Sequence, residues 1–241
     1  HAHRAIWARR MMWDGWYGLR PDDRVLHAGA FNWTYTLGAG LTDPWAIGAT
    51  AIIHAGPAAR DLWPALAAAH DATIFAAVPG VYRQMLDADD LSTGFRNLRH
   101  GLSAGEALHP SVAKAWSAAT GKPIFQALGM SEISTYISVP PDRPPRHDIA
   151  GWPQPGRRIA ILGEDPGTGL LPQGTDGLLA VSRRDPGLML GYWRRPDETA
   201  AAFRGEWFLT GDRARMDEDG AMHYLGRADD VMNAGGFRVN P

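Results

Sequence analysis

The chain has 241 residues, 24 of them Lys or Arg and 26 Asp or Glu, for a formal net charge of −2, and 45% of it is hydrophobic. Even charge with no like-signed block leaves no basic stripe for a nucleic-acid backbone, and no window approaches the roughly 20 uncharged apolar residues of a membrane span. Cysteine is absent, which removes disulfides, thiolate metal ligands and thiol nucleophiles, fits a reducing compartment, and leaves oxygen and nitrogen chemistry.

The opening His1-Ala2-His3-Arg4 has no initiator methionine and no signal-peptide apolar stretch, and Val239-Asn240-Pro241 follows directly on a glycine-rich turn, so the chain reads as a piece of a longer one. Its first half alternates short apolar runs with helical spacing. Gly48–His54, Thr73–Val78, Leu98–Ser103 and Ile124–Leu128 have the bounded look of buried strands, with helices predicted over Pro57–His70, Gly80–Leu86 and Pro110–Ala119. Strands separated by helices imply parallel pairing, hence a layered α/β sheet whose ligands sit beyond the strands' carboxyl ends. The segments Ser103–Leu108 and Gly129–Thr135 lie there. Pro140–Pro145 (PPDRPP) cannot continue a helix or central strand and marks a boundary. Beyond it the pattern is β: Arg158–Leu162, Gly177–Ser182, Trp207–Asp212 and Met222–Gly226, with Asp217–Gly220 (DEDG) as an antiparallel turn. The fold class is therefore α/β, an α/β subdomain over 1–145 and a small β-rich, barrel-like subdomain over 146–226, with 227–241 as a further segment.

Three short spans concentrate chemistry. Gln126–Ser134 (QALGMSEIS) places Ser131 and Glu132 just after Gly129, where backbone approaches a ligand closely, a hydroxyl meets phosphate oxygen and a carboxylate takes a hard cation; alone, it is equally an exposed capped turn. Trp207–Asp212 (WFLTGD) ends on a carboxylate able to accept both hydroxyls of a ribose diol, or is a plain strand and turn. Tyr224–Val239 carries the fixed cations Arg227 and Arg238 beside Asp229-Asp230 and Gly235-Gly236, a phosphate-binding junction or an ion-paired loop.

The ordered series SAGEAL (Ser103–Leu108), ALGMSE (Ala127–Glu132), GLMLGYWRRPDETAAAF (Gly187–Phe203), WFLTGD (Trp207–Asp212) and GRADDVMNAGGFRV (Gly226–Val239) resembles the adenylate-forming superfamily of acyl-CoA synthetases, peptide-synthetase adenylation domains and luciferase. The resemblance covers most of the chain and is closest to an acyl-CoA synthetase. It implies part of the large amino-terminal domain of an enzyme that activates a carboxylic acid with ATP and Mg²⁺ and passes the acyl group to coenzyme A, in the cytoplasm, with a homodimer as an open assembly. By resemblance, Glu132 is the magnesium-associated carboxylate and Ser131 takes the place of the usual phosphate-side threonine. Gly105, Glu106 and Ala107 line adenine together with Leu128 and Gly129, Asp212 holds ribose, and Arg227 contacts ribose and the α-phosphate. Asp229 is the hinge to a mobile carboxy-terminal domain, Gly236 belongs to the CoA side and Arg238 to nucleotide contact. Leu128 departs from the family's aromatic at that position. The family's phosphate loop would lie before His1 and its catalytic lysine after Pro241; Lys114 and Lys122 match no such motif.

Within Gly29–Leu41 the resemblance places the acyl pocket at Phe31, Asn32 and Trp33, with Tyr35 nearby, although aromatics on such a face are equally core. An asparagine where amino-acid-activating domains carry aspartate is a poor counter-ion for an ammonium, which favours an acid without an α-amino group. Trp33 resembles short-chain acyl-CoA synthetases, and the phrase also compares with aromatic-acid ligases. The histidines His27, His54, His70, His100, His109, His147 and His223 show no metal spacing and read as structural or exposed. Two alternatives stand beside the CoA ligase: an adenylation domain loading a carrier protein, and a non-catalytic nucleotide-binding or interaction module.

Overall fold

The computed structural model of the chain describes residues 1–57, 59, 61–88 and 91–228, and the backbone of 232–234 and 237–239. Its first sheet has seven strands, β1 (Arg24–His27), β2 (Thr50–Ile52), β3 (Ile74–Ala77), β4 (His100–Ala104), β5 (Ile124–Met130), β6 (Ser134–Ser138) and β7 (Trp152–Pro153), in the spatial order β2-β1-β3-β4-β5-β6-β7. Strands β1 to β5 pair in parallel, each crossover running through helices such as Leu62–Ala69, Pro79–Met85 and Pro110–Thr120. A parallel sheet covered on both faces needs strands that are apolar throughout. On β3, Phe75 and Ala77 join a core with Trp63, Tyr82 and Trp116, and Ile74 and Ala76 join one with Met12, Trp16 and Leu102.

Strand β1, which pairs with both β2 and β3, is not among the expected strands, and two further features differ from the sequence expectation. Strand β5 runs two residues further and contains Gly129, and Ser134–Ser138 folds back on it as the antiparallel β6. The buried, β-branched and aromatic Thr135, Tyr136 and Ile137 suit a strand, and the hairpin they close leaves Ser131, Glu132 and Ile133 at its turn. The sheet also takes its last strand, β7, from beyond the proline-rich segment.

The second sheet is antiparallel: β8 (Ile159–Leu162), β9 (Asp176–Ser182), β10 (Phe203–Arg204), β11 (Trp207–Met216) and β12 (Met222–Arg227), in the order β10-β11-β9-β8 with β12 on β11. The expected turn Asp217–Gly220 joins β11 to β12, with Gly220 at φ +80°. Leu179, Val181 and Phe208 of this sheet share a core with Tyr136 and Ile137 of β6, so the two sheets pack as one body around the β5–β6 hairpin. Separately, β13 (Met232–Ala234) pairs antiparallel with β14 (Phe237–Val239). Among the described residues no helix is long and apolar enough to cross a membrane.

Two histidines sit inside the first sheet. The His27 Nδ1 accepts the Gly29 N–H at 2.9 Å, and the His100 Nε2–H donates to the Tyr17 carbonyl at 2.8 Å. Burial lowers His27 to about 3 and, aided by Arg99, His100 to about 4. Both are neutral in the fold, whereas the unfolded chain binds their protons near pH 6.5. Stability is therefore full above that pH and is lost as pH falls toward 4, by ~1.4 kcal/mol per unit for each histidine titrating only in the unfolded chain. Urea midpoints at pH 7 and pH 5 should show the loss, and His100→Asn should reduce it; an equal loss in both proteins would place its source elsewhere.

Candidate functional site

A cavity of about 990 Å³ opens between the two sheets, at the carboxyl ends of β4 and β5. Gly105, Glu106 and Ala107 enter it from the loop after β4, Leu128 and Gly129 from β5, and Ser131 and Glu132 from the hairpin turn. The second sheet contributes Asp212, Tyr224 and Arg227. Gly105 turns the chain out of β4 at φ +96°, which a side chain would strain. A side chain at Gly129 would meet the Ser134 carbonyl oxygen and Thr135 Cα at 2.7 Å, so the hairpin closes only around glycine at its bulge.

Asp212 is not at a strand end, as the sequence suggested, but inside β11. Pairing with β9 slips between Leu209 and Arg213 around Gly211, at φ +77°, where a side chain would run into the Arg227 guanidinium. The break leaves Asp212 opposite Arg227 on β12. Arg227 Nη1 donates to Asp212 Oδ1 at 3.0 Å and to the Thr210 carbonyl at 3.1 Å, and the Tyr224 hydroxyl donates to the same Oδ1 at 3.4 Å. Burial pushes the Asp212 carboxyl above its ordinary value, with Arg227 pulling the other way.

Across the cavity, Glu132 Oε1 accepts the Tyr192 hydroxyl at 2.9 Å, and its main-chain carbonyl accepts the Met189 N–H at 2.7 Å. The exposed Ser131 precedes it. Among the described residues no three of His, Cys, Asp and Glu gather as a metal cage. One carboxylate beside a hydroxyl suits a Mg²⁺ ion held mainly by nucleotide phosphates, which takes one or two protein carboxylates.

The remaining wall combines an aromatic group with the polar Arg9, Gln126, His147 and Asp148. Asn32, Trp33 and Tyr35 line it together with Trp16 and Tyr17, whereas the half-buried Phe31 does not. The Tyr35 hydroxyl donates to the Leu102 carbonyl at 3.1 Å and the Trp16 Nε1–H to the Phe125 carbonyl at 3.0 Å, so the polar atoms of both rings are committed to backbone. Sequence reasoning missed Trp16, Tyr192, Tyr224 and His147, which also lines the cavity. They join the site through tertiary packing, 60 residues separating Tyr192 from Glu132 in the sequence; Tyr192 and Tyr224 fall inside spans singled out above without being assigned a role, and no local signal marks Trp16 or His147. Asp229 and Gly236 lie outside the described residues, as does the side chain of Arg238, whose backbone is in β14.

The family model for AMP-binding enzymes matches residues 1–193. The chain is 32% identical to the 3-hydroxybenzoate–CoA ligase of Aromatoleum sp. (strain CIB), over all of this chain and 46% of that protein. It is 34% identical to the benzoate–CoA ligase of Thauera aromatica, over 93% of this chain and 42% of the relative. Among solved structures, the anthranilate CoA ligase AuaEII in complex with anthranoyl-AMP matches all of this chain and 46% of its own, with TM-score 0.86 and 29% identity. ATP-bound MatB from Rhodopseudomonas palustris matches with TM-score 0.85 and 28% identity, over 47% of its chain. The chain thus spans about half the length of the relatives it matches.

Proposed function

The chain belongs to the AMP-binding enzyme family, and from that premise we propose that it forms the nucleotide- and acid-binding part of an ATP-dependent carboxylic acid:CoA ligase. The observation that carries this reading is the Asp212–Arg227 pair facing Glu132 across one cavity with an aromatic wall. A ribose diol donates its hydroxyls to the Asp212 carboxylate, while Arg227 supplies positive charge toward the α-phosphate. The backbone of Gly105 to Ala107 and the side chain of Leu128 enclose the adenine. Ser131 and Glu132 take the phosphate end, where Mg²⁺, when bound, neutralises charge on the departing pyrophosphate.

The reaction has two halves. A carboxylate oxygen of the acid attacks the α-phosphorus of ATP, the bond to the bridging pyrophosphate oxygen breaks, and an acyl-adenylate forms. The CoA thiol then adds to the acyl carbonyl, gives up its proton, and AMP leaves. The chain's part is to bind and orient: it sets the carboxylate of the acid in line with the α-phosphorus and excludes water from the mixed anhydride.

The acid is an aromatic monocarboxylic acid. Trp16, Trp33 and Tyr35 offer ring surface, and Asn32 offers no counter-charge to an α-ammonium group. The names of the benzoate and hydroxybenzoate ligases among the relatives point the same way. Even charge and the absence of cysteine fit a cytoplasmic enzyme whose thiol belongs to its substrate.

A panel of benzoates, fatty acids and amino acids incubated with ATP and the full-length protein, read first as pyrophosphate and then as acyl-CoA, tests both halves. Benzoates should release pyrophosphate fastest and appear as CoA thioesters. Adenylate that transfers only to a phosphopantetheine carrier protein would overturn the CoA assignment in favour of a carrier-loading domain.

A further inference from the structure

The turn that carries Ser131 and Glu132 is gripped by a buried ion pair whose arginine, Arg9, also borders the cavity. The side chains of Arg9 and Asp43 are 7% and 4% exposed. Arg9 Nε donates to both Asp43 oxygens, at 2.8 and 3.0 Å, and Nη2 donates to Asp43 Oδ2 at 2.7 Å and to the Tyr17 hydroxyl at 3.1 Å. The Tyr17 hydroxyl in turn donates to Asp43 Oδ2 at 2.9 Å. Nη1 reaches across to Ser134 Oγ at 2.7 Å. With Nε, Nη1 and both Nη2 hydrogens engaged, a single N–H of the five remains, so most of the Arg9 fork is committed to its neighbours.

Three features single this pair out from an ordinary core contact. First, a buried ion pair is weak evidence for stability, since desolvation roughly cancels the attraction. Second, both of its supports are π-helical turns, Trp13–Tyr17 carrying Tyr17 and Gly38–Thr42 leading into Asp43; such turns are rare and frequent at functional sites. A side chain at Gly38 would occupy the position of the Arg9 guanidinium, so the helix is cut to fit it. Third, Ser134 is at φ +72°, a left-handed conformation that serine holds only where its surroundings impose it.

We propose that the Arg9–Asp43 pair is a positioning device for the Met130–Ser134 turn, and through it for the Ser131 hydroxyl and the Glu132 carboxylate. The inference rests on the reading of that turn as the phosphate and cation end of the nucleotide site. Asp43 and Tyr17 fix the guanidinium, the guanidinium fixes Ser134 Oγ, and Ser134 in its left-handed conformation sets the direction in which the turn leaves β5. On the opposite side, Arg157 Nη2 donates to the Thr135 carbonyl at 3.1 Å and Met189 N–H holds the Glu132 carbonyl, so the turn is restrained from both flanks. Arg9 and Asp43 are 34 residues apart and Ser134 is 125 residues from Arg9, so the device exists only in the folded chain.

The test uses two variants of the full-length protein. Ser134→Ala removes the handle and leaves the ion pair intact; Arg9→Lys keeps the charge opposite Asp43 and loses the fork that reaches Ser134. Each should lower kcat about 10- to 100-fold, as small misplacements of catalytic groups do, with KM for the acid unchanged within about twofold. By calorimetry, each should weaken a non-hydrolysable ATP analogue about tenfold in Mg²⁺ while leaving its affinity without Mg²⁺ unchanged. In a Glu132→Gln background, Ser134→Ala should add nothing, because both act through one group. Wild-type kcat and analogue affinity in Ser134→Ala, or losses that add fully to those of Glu132→Gln, would overturn the inference. A wild-type protein that binds no analogue would instead remove the site reading beneath it.

Discussion

Asp212→Ala in the full-length protein is expected to weaken AMP and ATP about 10- to 150-fold, since hydrogen bonds to a charged acceptor contribute ~1.5–3 kcal/mol. Asp212 is buried inside β11 at the slip around Gly211, where it accepts from Arg227 and Tyr224. A nucleotide that brings two ribose hydroxyls to this carboxylate replaces water with charge-assisted bonds, and alanine removes them all. The loss should appear as nucleotide affinity in calorimetry, with little change in the melting temperature, because Arg227 is near enough to the cavity to be hydrated. Nucleotide affinity equal to wild type would take Asp212 out of the site.

The largest stability effect is expected at a pair that does not itself line the cavity. The side chains of Arg157 and Asp185 are fully buried, their ion pair spans 2.5 Å, and burial pulls the Arg157 guanidinium below its ordinary value even with Asp185 beside it. Arg157 Nε and Asp185 Oδ2 have no hydrogen-bond partner among the described residues. Such a pair adds little net stability, yet removing one partner strands the other: Asp185→Ala should cost ~3–5 kcal/mol, or a melting temperature lower by about 6–20 °C. Replacing both, as Arg157→Met with Asp185→Leu, should recover part of the loss, the rest being the bonds that Arg157 gives the Thr135 carbonyl and Asp185 takes from the Gly187 N–H. Near-wild-type melting of Asp185→Ala would mean that the guanidinium finds water or another partner, contrary to its burial.

Four of the five parallel strands are legible in the sequence as short apolar runs between helices, and Ile74–Ala77 and Pro110–Thr120 fall close to where spacing puts them, whereas β1, only Val25 and Leu26 between Arg24 and His27, carries too short a run to be read. Strand β6 is not legible, since Ser134 and Ser138 bracket it and its pairing with β5 depends on a bulge at Gly129 that no periodicity reveals. The same holds for Asp212: Thr210-Gly211-Asp212 reads as the end of a strand, whereas the chain slips at Gly211 and continues to Met216. The chemistry-bearing motifs were visible, and the cavity brings together Ser131, Glu132, Asp212 and Arg227 from them. What supports them was not visible. Arg9 with Asp43, Arg157 with Asp185 and Tyr192 with Glu132 are pairs of ordinary polar residues 34, 28 and 60 positions apart, matched only by tertiary packing. Phe31 shows the converse, since its neighbours Asn32 and Trp33 line the cavity and it does not.

The pyrophosphate half of the acid panel tests the central claim most directly. If the cavity joins a nucleotide to a carboxylic acid, the full-length protein with ATP and Mg²⁺ will release pyrophosphate only when an acid is present, and a benzoate will serve better than an amino acid. ATP bound without acid-dependent release of pyrophosphate would contradict the account and leave a nucleotide-binding module in its place.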